Sequence, residues 1–185
     1  PFNLSFYENE IVSITGLIGS GKTNLASQIF GLSQNSKVKM TLNGDQYNPQ
    51  SPKEAIAAGV FMCPKDRASN AVVSEFDISN NLALPFLKKH SRFSFLRSKS
   101  LSQNAKNSIS ELGIVCQSEV DSVTTLSGGN QQKVMVGMWL SENSSVLLLD
   151  EPFQGVDIKA RRDIGIQIRS TSSHRATLIF VAELD

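Results

Sequence analysis

With 185 residues, 40% of them apolar and 19% charged, the chain has the length of one compact domain and enough apolar content to bury a core. Its 18 Lys and Arg against 17 Asp and Glu leave a net charge of +1, so no global field recruits nucleic acid or anionic lipid, and any phosphate binding must be local. No apolar run approaches the roughly 20 residues of a membrane-spanning helix. Cys63 and Cys116 lack metal-ligand spacing and read as free thiols. The start, Pro1-Phe2-Asn3-Leu4, carries neither an initiator Met nor a signal pattern, as expected of a domain cut from a longer polypeptide.

Residues 4–7 and 11–15 read as two short strands joined by Glu8-Asn9-Glu10, the second running into a glycine-rich loop that opens a helix over about 23–30. Residues 38–42 form a strand closed by Asn43-Gly44. Ser51-Pro52 starts a short helix, with Pro tolerated in its first turn, and 60–63 returns as a buried strand. Residues 80–87 read as helical, and Leu101, Ala105, Ile109 and Leu112 mark one face of a second helix. A helix over 130–140 rests on the pairs Val134/Met138 and Met135/Trp139. Residues 146–149 form a continuous apolar strand of the kind buried in a parallel sheet, Ala160, Ile164 and Ile168 define a further helix, and 177–181 a last strand. Strands alternating with helices around a mostly helical insertion over about 74–125 predict an α/β fold. Lys88, Lys89, Arg92, Arg97 and Lys99 suit an acidic partner or lipid headgroups; with few aromatics in a near-neutral chain, a solvated loop is the plainer reading.

Gly16-Leu17-Ile18-Gly19-Ser20-Gly21-Lys22-Thr23 fits the phosphate-loop pattern G-x-x-x-x-G-K-[ST] and lies after a strand and at a helix start, where that pattern has meaning. Glycines let backbone N–H groups converge on an anion, the helix N-terminus adds partial positive charge, and Lys22 supplies a full one. The candidate nucleotide ligands are therefore Gly16, Gly19, Ser20, Gly21, Lys22, Thr23 and Asn24, with the Thr23 hydroxyl suited to Mg2+. The strand Val146-Leu147-Leu148-Leu149 ends in Asp150 and Glu151. At the carboxyl edge of a sheet, Asp150 can hold the metal, and Glu151 can polarise a water for attack on the γ-phosphate of ATP. Lys22 and Glu151 are thus the candidate catalytic residues, Thr23 and Asp150 the metal ligands.

Leu126-Ser127-Gly128-Gly129-Asn130-Gln131-Gln132-Lys133 is a second anion-binding helix start: Ser127 is a natural N-cap and the two glycines expose N–H groups. Two such ends serve one nucleotide economically in a dimer whose Ser127 loops each cap the partner's ATP. Here the sequence resembles the ABC ATPase family. The 126–133 stretch is similar to its signature, 16–23 to its Walker A, 146–151 to its Walker B with catalytic glutamate, and Gly155-Val156-Asp157 to its D-loop. Ser51-Pro52, Asp66-Arg67 and the Gly-Gly-Asn-Gln-Gln signature resemble the second cassette of bacterial monosaccharide, autoinducer and nucleoside importers.

The resemblance implies a P-loop ABC-type cassette with a helical signature subdomain over about 74–125, a catalytic core over about 1–73 and 126–185, and a small N-terminal antiparallel β element. It adds Ser127, Gly128, Gly129, Gln131 and Asp157 to the ATP site. It implies an ATPase at the cytoplasmic face of the membrane, partnered by a second cassette, transmembrane permease subunits and, indirectly, an extracytoplasmic solute-binding protein, with no nucleic acid. The region about 80–87 would touch the permease. The sequence departs from the family at two positions: Lys65 stands where Gln or Glu is usual, and Ala182 where a histidine is expected after the last strand. Both weaken charge stabilisation in phosphoryl transfer, so slow hydrolysis is expected. The alternatives are a regulatory nucleotide-binding half whose signature loop serves the partner site, or a soluble ABC ATPase outside transport. Phe2 is the candidate for stacking on adenine.

Overall fold

The structure, a computed structural model, describes residues 3–17, 19–33, 38–66, 72–92 and 95–182. In chain order the elements are β1 (Ile11–Thr15), α1 (Lys22–Ile29), β2 (Met40–Leu42), β3 (Asp45–Tyr47), α2 (Pro52–Ala57), β4 (Val60–Cys63) and α3 (Ile78–Ala83). A 3-10 stretch (Leu84–His90) leads to β5 (Ser91–Arg92), β6 (Phe95–Leu96), α4 (Ser98–Leu112), α5 (Gly128–Leu140), β7 (Val146–Asp150), α6 (Ile158–Ser170) and β8 (Ala176–Val181). They fall into two compact units. The first holds Pro1–Cys63, Asn143–Glu151 and Ser172–Asp185, and the second Pro64–Glu142 and Pro152–Thr171.

The first unit is built on a parallel sheet in the order β1-β8-β7-β4. Leu147, Leu148 and Leu149 of β7 and the apolar runs of β4 and β8 are buried, as strands covered on both faces must be. Parallel pairing aligns Thr15 with Val181, Asp150 with Phe180 and Cys63 with Leu149, so the strands end at one edge of the sheet. The small antiparallel element expected near the N-terminus is the β2–β3 hairpin, turned by Asn43 (φ 53) and Gly44 (φ 89).

The strand expected over 4–7 does not form. The Tyr7 N–H is taken by the Glu10 carboxylate at 3.0 Å in a local turn with Asn9 at φ 67, and Leu4 and Tyr7 are exposed. A locally closed backbone with no apolar face to bury has no ladder to join.

In the second unit, Ile78, Leu82, Ala105, Leu112, Ile114, Val123, Leu126 and Val134 form one buried cluster joining α3, α4 and α5. The helix expected over 80–87 starts earlier and ends sooner. Asp77 caps it by accepting from the Asn80 N–H at 2.7 Å, and Pro85 sits in the first turn of the 3-10 stretch that replaces its second half. The second unit holds α5 and α6 together with the segment 74–125.

Candidate functional site

The loop 16–23 occupies the turn from β1 into α1, and three features adapt it to an anion. Gly19 (φ 86) and Gly21 (φ 91) hold left-handed backbone, and a Cβ at either would meet nothing within 4 Å, so the glycines serve conformation and leave the loop open. Gly16 serves close packing, since a Cβ there would stand 2.7 Å from Ser20 Oγ. Helix α1 begins at Gly21 with no side-chain cap, unlike α2, α5 and α6, which start on Ser51, Ser127 and Asp157, so among the described residues no capping side chain occupies its first N–H groups. Ile18 of this loop lies outside the described residues.

Lys22, 9% exposed, donates to the Gly16 carbonyl at 3.2 Å and stands 3.4 Å from Glu151 Oε1. The Thr23 hydroxyl donates to Asp150 Oδ1 at 3.3 Å, bringing together across β8 two residues far apart in sequence. Asp150 is fully buried at the end of β7. Two hard oxygen donors this close, one a buried carboxylate, are the ligand types a divalent cation such as Mg2+ takes, so the residues present fit the metal. Beside them Cys63 is fully buried, and burial together with the Asp150 charge pushes its thiol far above the usual range, leaving it a small apolar filler. Asn24, also expected to bind the nucleotide, is exposed and accepts from Ser33 Oγ at 3.3 Å.

One feature has no sequence signal. Glu151 holds a left-handed backbone (φ 49), with its N–H bonded to the Phe180 carbonyl at 2.8 Å. A non-glycine residue held there costs of order 1–2 kcal/mol and marks a position fixed by its surroundings.

In the second unit, Ser127 Oγ accepts from the Asn130 N–H at 3.4 Å and from Asn130 Nδ2 at 3.0 Å. Gln131 reaches back to the Leu126 carbonyl at 3.1 Å, and Gly128 and Gly129 open the helix. Gly129 is needed for contact: a Cβ there would meet Ala160 Cβ at 3.0 Å and Asp157 Oδ2 at 3.4 Å. Asp157 itself caps α6 through the Ala160 N–H at 2.8 Å, so the 155–157 turn and the start of α5 lie against each other. Two neighbours of these residues carry no sequence signal of their own role. Gln132 is fully buried and donates to the Pro152 carbonyl at 2.9 Å, and Lys133, 3% exposed, donates to the Gly113 carbonyl and pairs with Asp163 at 2.6 Å. Lys65 is half-buried and Ala182 directly follows β8. His90 is buried against Ser100 Oγ at 2.9 Å and His174 occupies a turn at φ 64. Phe2 and Arg67 lie outside the described residues.

Residues 1–154 match the family model described as ABC transporter. The chain is 36% identical over 165 residues to the arabinose import ATP-binding protein AraG of Rhizobium etli, covering 89% of this chain and 33% of that protein. It is 35% identical over 184 residues to the ribose import ATP-binding protein RbsA 2 of Rubrobacter xylanophilus, covering 99% and 36%. The chain thus spans about a third of the length of these relatives. Its fold is similar to that of a solved dimeric ATP-binding cassette in a post-hydrolysis state with ADP and phosphate, at TM-score 0.79, 21% identity, and coverage of 98% of this chain and 78% of that one.

Proposed function

The chain belongs to the ABC transporter family, and on that premise we propose that it binds and hydrolyses ATP to drive a membrane permease importing a sugar or similar small polar solute. The observation that carries the reading is the juxtaposition at one sheet edge of an open glycine loop, the buried Lys22, and the Thr23–Asp150 pair. In this reading the N–H groups of 16–23 and the Lys22 ammonium bind the β- and γ-phosphates. Thr23 and Asp150 hold Mg2+, which when bound neutralises charge on the phosphate oxygens. A γ-phosphate competes with Glu151 for Lys22, freeing the Glu151 carboxylate to accept a proton from the attacking water. The import direction and the class of solute rest on the printed functions of the arabinose and ribose relatives.

Ser127, Gly128, Gly129 and Gln131 would complete the site of a second cassette, whose own signature loop would cap ATP here. In this reading the cassette pair would lie at the cytoplasmic face of the membrane beneath permease subunits. Ala182 offers no imidazole to the γ-phosphate, and Lys65 cannot ligate a cation. Both favour slow hydrolysis at this site, and they also support a second reading, a regulatory half whose signature loop serves the competent partner.

Calorimetry tests the premise: Mg-ATP binding should be lost on Lys22→Ala, and retained affinity in that variant would refute the site. Single-turnover kinetics on a pair whose other cassette lacks its glutamate then separates the two readings. Slow but measurable turnover supports hydrolysis here, and none supports the regulatory half.

A further inference from the structure

The antiparallel pair β5–β6 forms a short tongue whose exposed strand is unusual for its apolar content. Phe95 is 78% exposed and Leu96 49% exposed. Successive residues of a strand point to opposite faces, so exposure of both means that β6 is uncovered on its two sides. The base of the tongue is rigidly held. The Arg97 N–H donates to the His90 carbonyl at 2.7 Å, the buried His90 ring meets Ser100 Oγ at 2.9 Å, and Phe86 beneath packs edge-on against Trp139 with ring centroids 6.1 Å apart. Phe95 and Leu96 are therefore joined to a part of the unit whose backbone and rings have partners.

Its charge surroundings are one-sided. Between Asp77 and Glu111 the sequence holds Lys88, Lys89, Arg92, Arg97, Lys99 and Lys106 and not one acid. Glu142 is engaged by Lys89, and Glu119 by Lys106 at 3.4 Å, while Lys88, Arg97 and Lys99 are exposed and take part in none of the ion pairs among the described residues. A chain of net charge +1 thus concentrates unneutralised cations around an exposed aromatic and an exposed leucine.

We propose that this tongue is a direct lipid-contact element that rests on an anionic bilayer surface, Phe95 and Leu96 entering the interfacial layer and Lys88, Arg97 and Lys99 meeting lipid phosphates. An aromatic residue and a leucine flanked by cations is the composition that binds the headgroup boundary, where apolar insertion and attraction to anionic lipid add. A short apolar strand uncovered on both sides suits a deformable bilayer better than a protein surface, which would need a matching cleft. The inference goes beyond the nucleotide reading and does not depend on it.

The test is co-sedimentation of the 185-residue chain with protein-free vesicles of phosphatidylcholine alone or with about 30% phosphatidylglycerol. Binding is expected only with the anionic vesicles and should fall steeply as salt rises from about 0.05 to about 0.5 M, because exposed charges are screened. The Arg97→Glu/Lys99→Glu double variant should bind roughly tenfold more weakly, and Phe95→Ser several-fold more weakly, each keeping the circular dichroism spectrum and Mg-ATP affinity of the parent. Equal binding by parent and variants overturns the proposal. So does indifference to anionic vesicles combined with capture by vesicles carrying permease, which would assign the tongue to an acidic protein partner. Loss of nucleotide binding in the parent would strike the proposed function alone.

Discussion

Glu151 joins two conflicting demands at one residue. Its left-handed backbone at φ 49 is strained, yet that backbone and its N–H bond to the Phe180 carbonyl hold the carboxylate 3.4 Å from Lys22. Strain retained at the residue proposed to activate water is what functional constraint would explain. Glu151→Gly should recover about 1–2 kcal/mol of backbone strain but lose about 3 kcal/mol by stranding the Lys22 ammonium, since the two side chains are only 8% and 12% exposed, a net destabilisation of about 1 kcal/mol. The same variant, like Glu151→Gln, should abolish turnover while keeping Mg-ATP binding. Urea unfolding beside a single-turnover assay checks both halves. A stabilised Glu151→Gly would mean that the strain outweighs the Lys22 pair.

At the scale of elements, two glycines that look alike in sequence differ in what they support. Gly31 ends α1: its N–H bonds the Gln28 carbonyl at 3.1 Å and the Leu32 N–H bonds the Ser27 carbonyl at 2.8 Å, the paired bonds of a left-handed helix stop. Gly31 also lies against α2, where a Cβ would stand 2.9 Å from the Ser51 carbonyl. Gly44 has the same sign of φ in the β2–β3 turn, but a Cβ there meets nothing within 4 Å. Gly44→Ala should cost about 1 kcal/mol, the conformational penalty alone, and Gly31→Ala at least about 2 kcal/mol, because backbone cannot yield as a side-chain tip can. Denaturant midpoints of the two variants measure the difference, and equal losses would disprove the close approach. The contrast also shows why legibility is uneven. Asn43-Gly44 announces a hairpin through local chemistry, and 146–150 announces a buried strand through continuous apolar residues. The 4–7 segment looked like a strand by composition, but only the Glu10 carboxylate bonding the Tyr7 N–H decides its course.

For the molecule as a whole, parallel pairing does most of what motif reading presupposes. Because β1, β8 and β7 run the same way, the loop 16–23 and the pair Asp150–Glu151 reach one edge, so the two motifs legible in sequence come together there. Residues whose role is to hold elements in place were not readable, since their partners are distant in sequence. Lys133 is the clearest case: it belongs to the signature stretch, yet it is 3% exposed and ties α5 to the end of α4 through the Gly113 carbonyl at 2.8 Å and to α6 through Asp163 at 2.6 Å. The two partners are unequal, since the Asp163 side chain keeps 28% of its exposure and that of Lys133 only 4%. Removing the carboxylate strands a buried ammonium, whereas removing the ammonium leaves a carboxylate that water can reach and an apolar stem's worth of space that methionine fills. Asp163→Ala should accordingly destabilise by about 2–3 kcal/mol and Lys133→Met by about 1 kcal/mol, with the double variant close to the milder single one. Urea unfolding of the three variants checks the order. A double variant as unstable as the sum of the singles would show that the pair does not couple, and that α4, α5 and α6 are held by their apolar contacts alone.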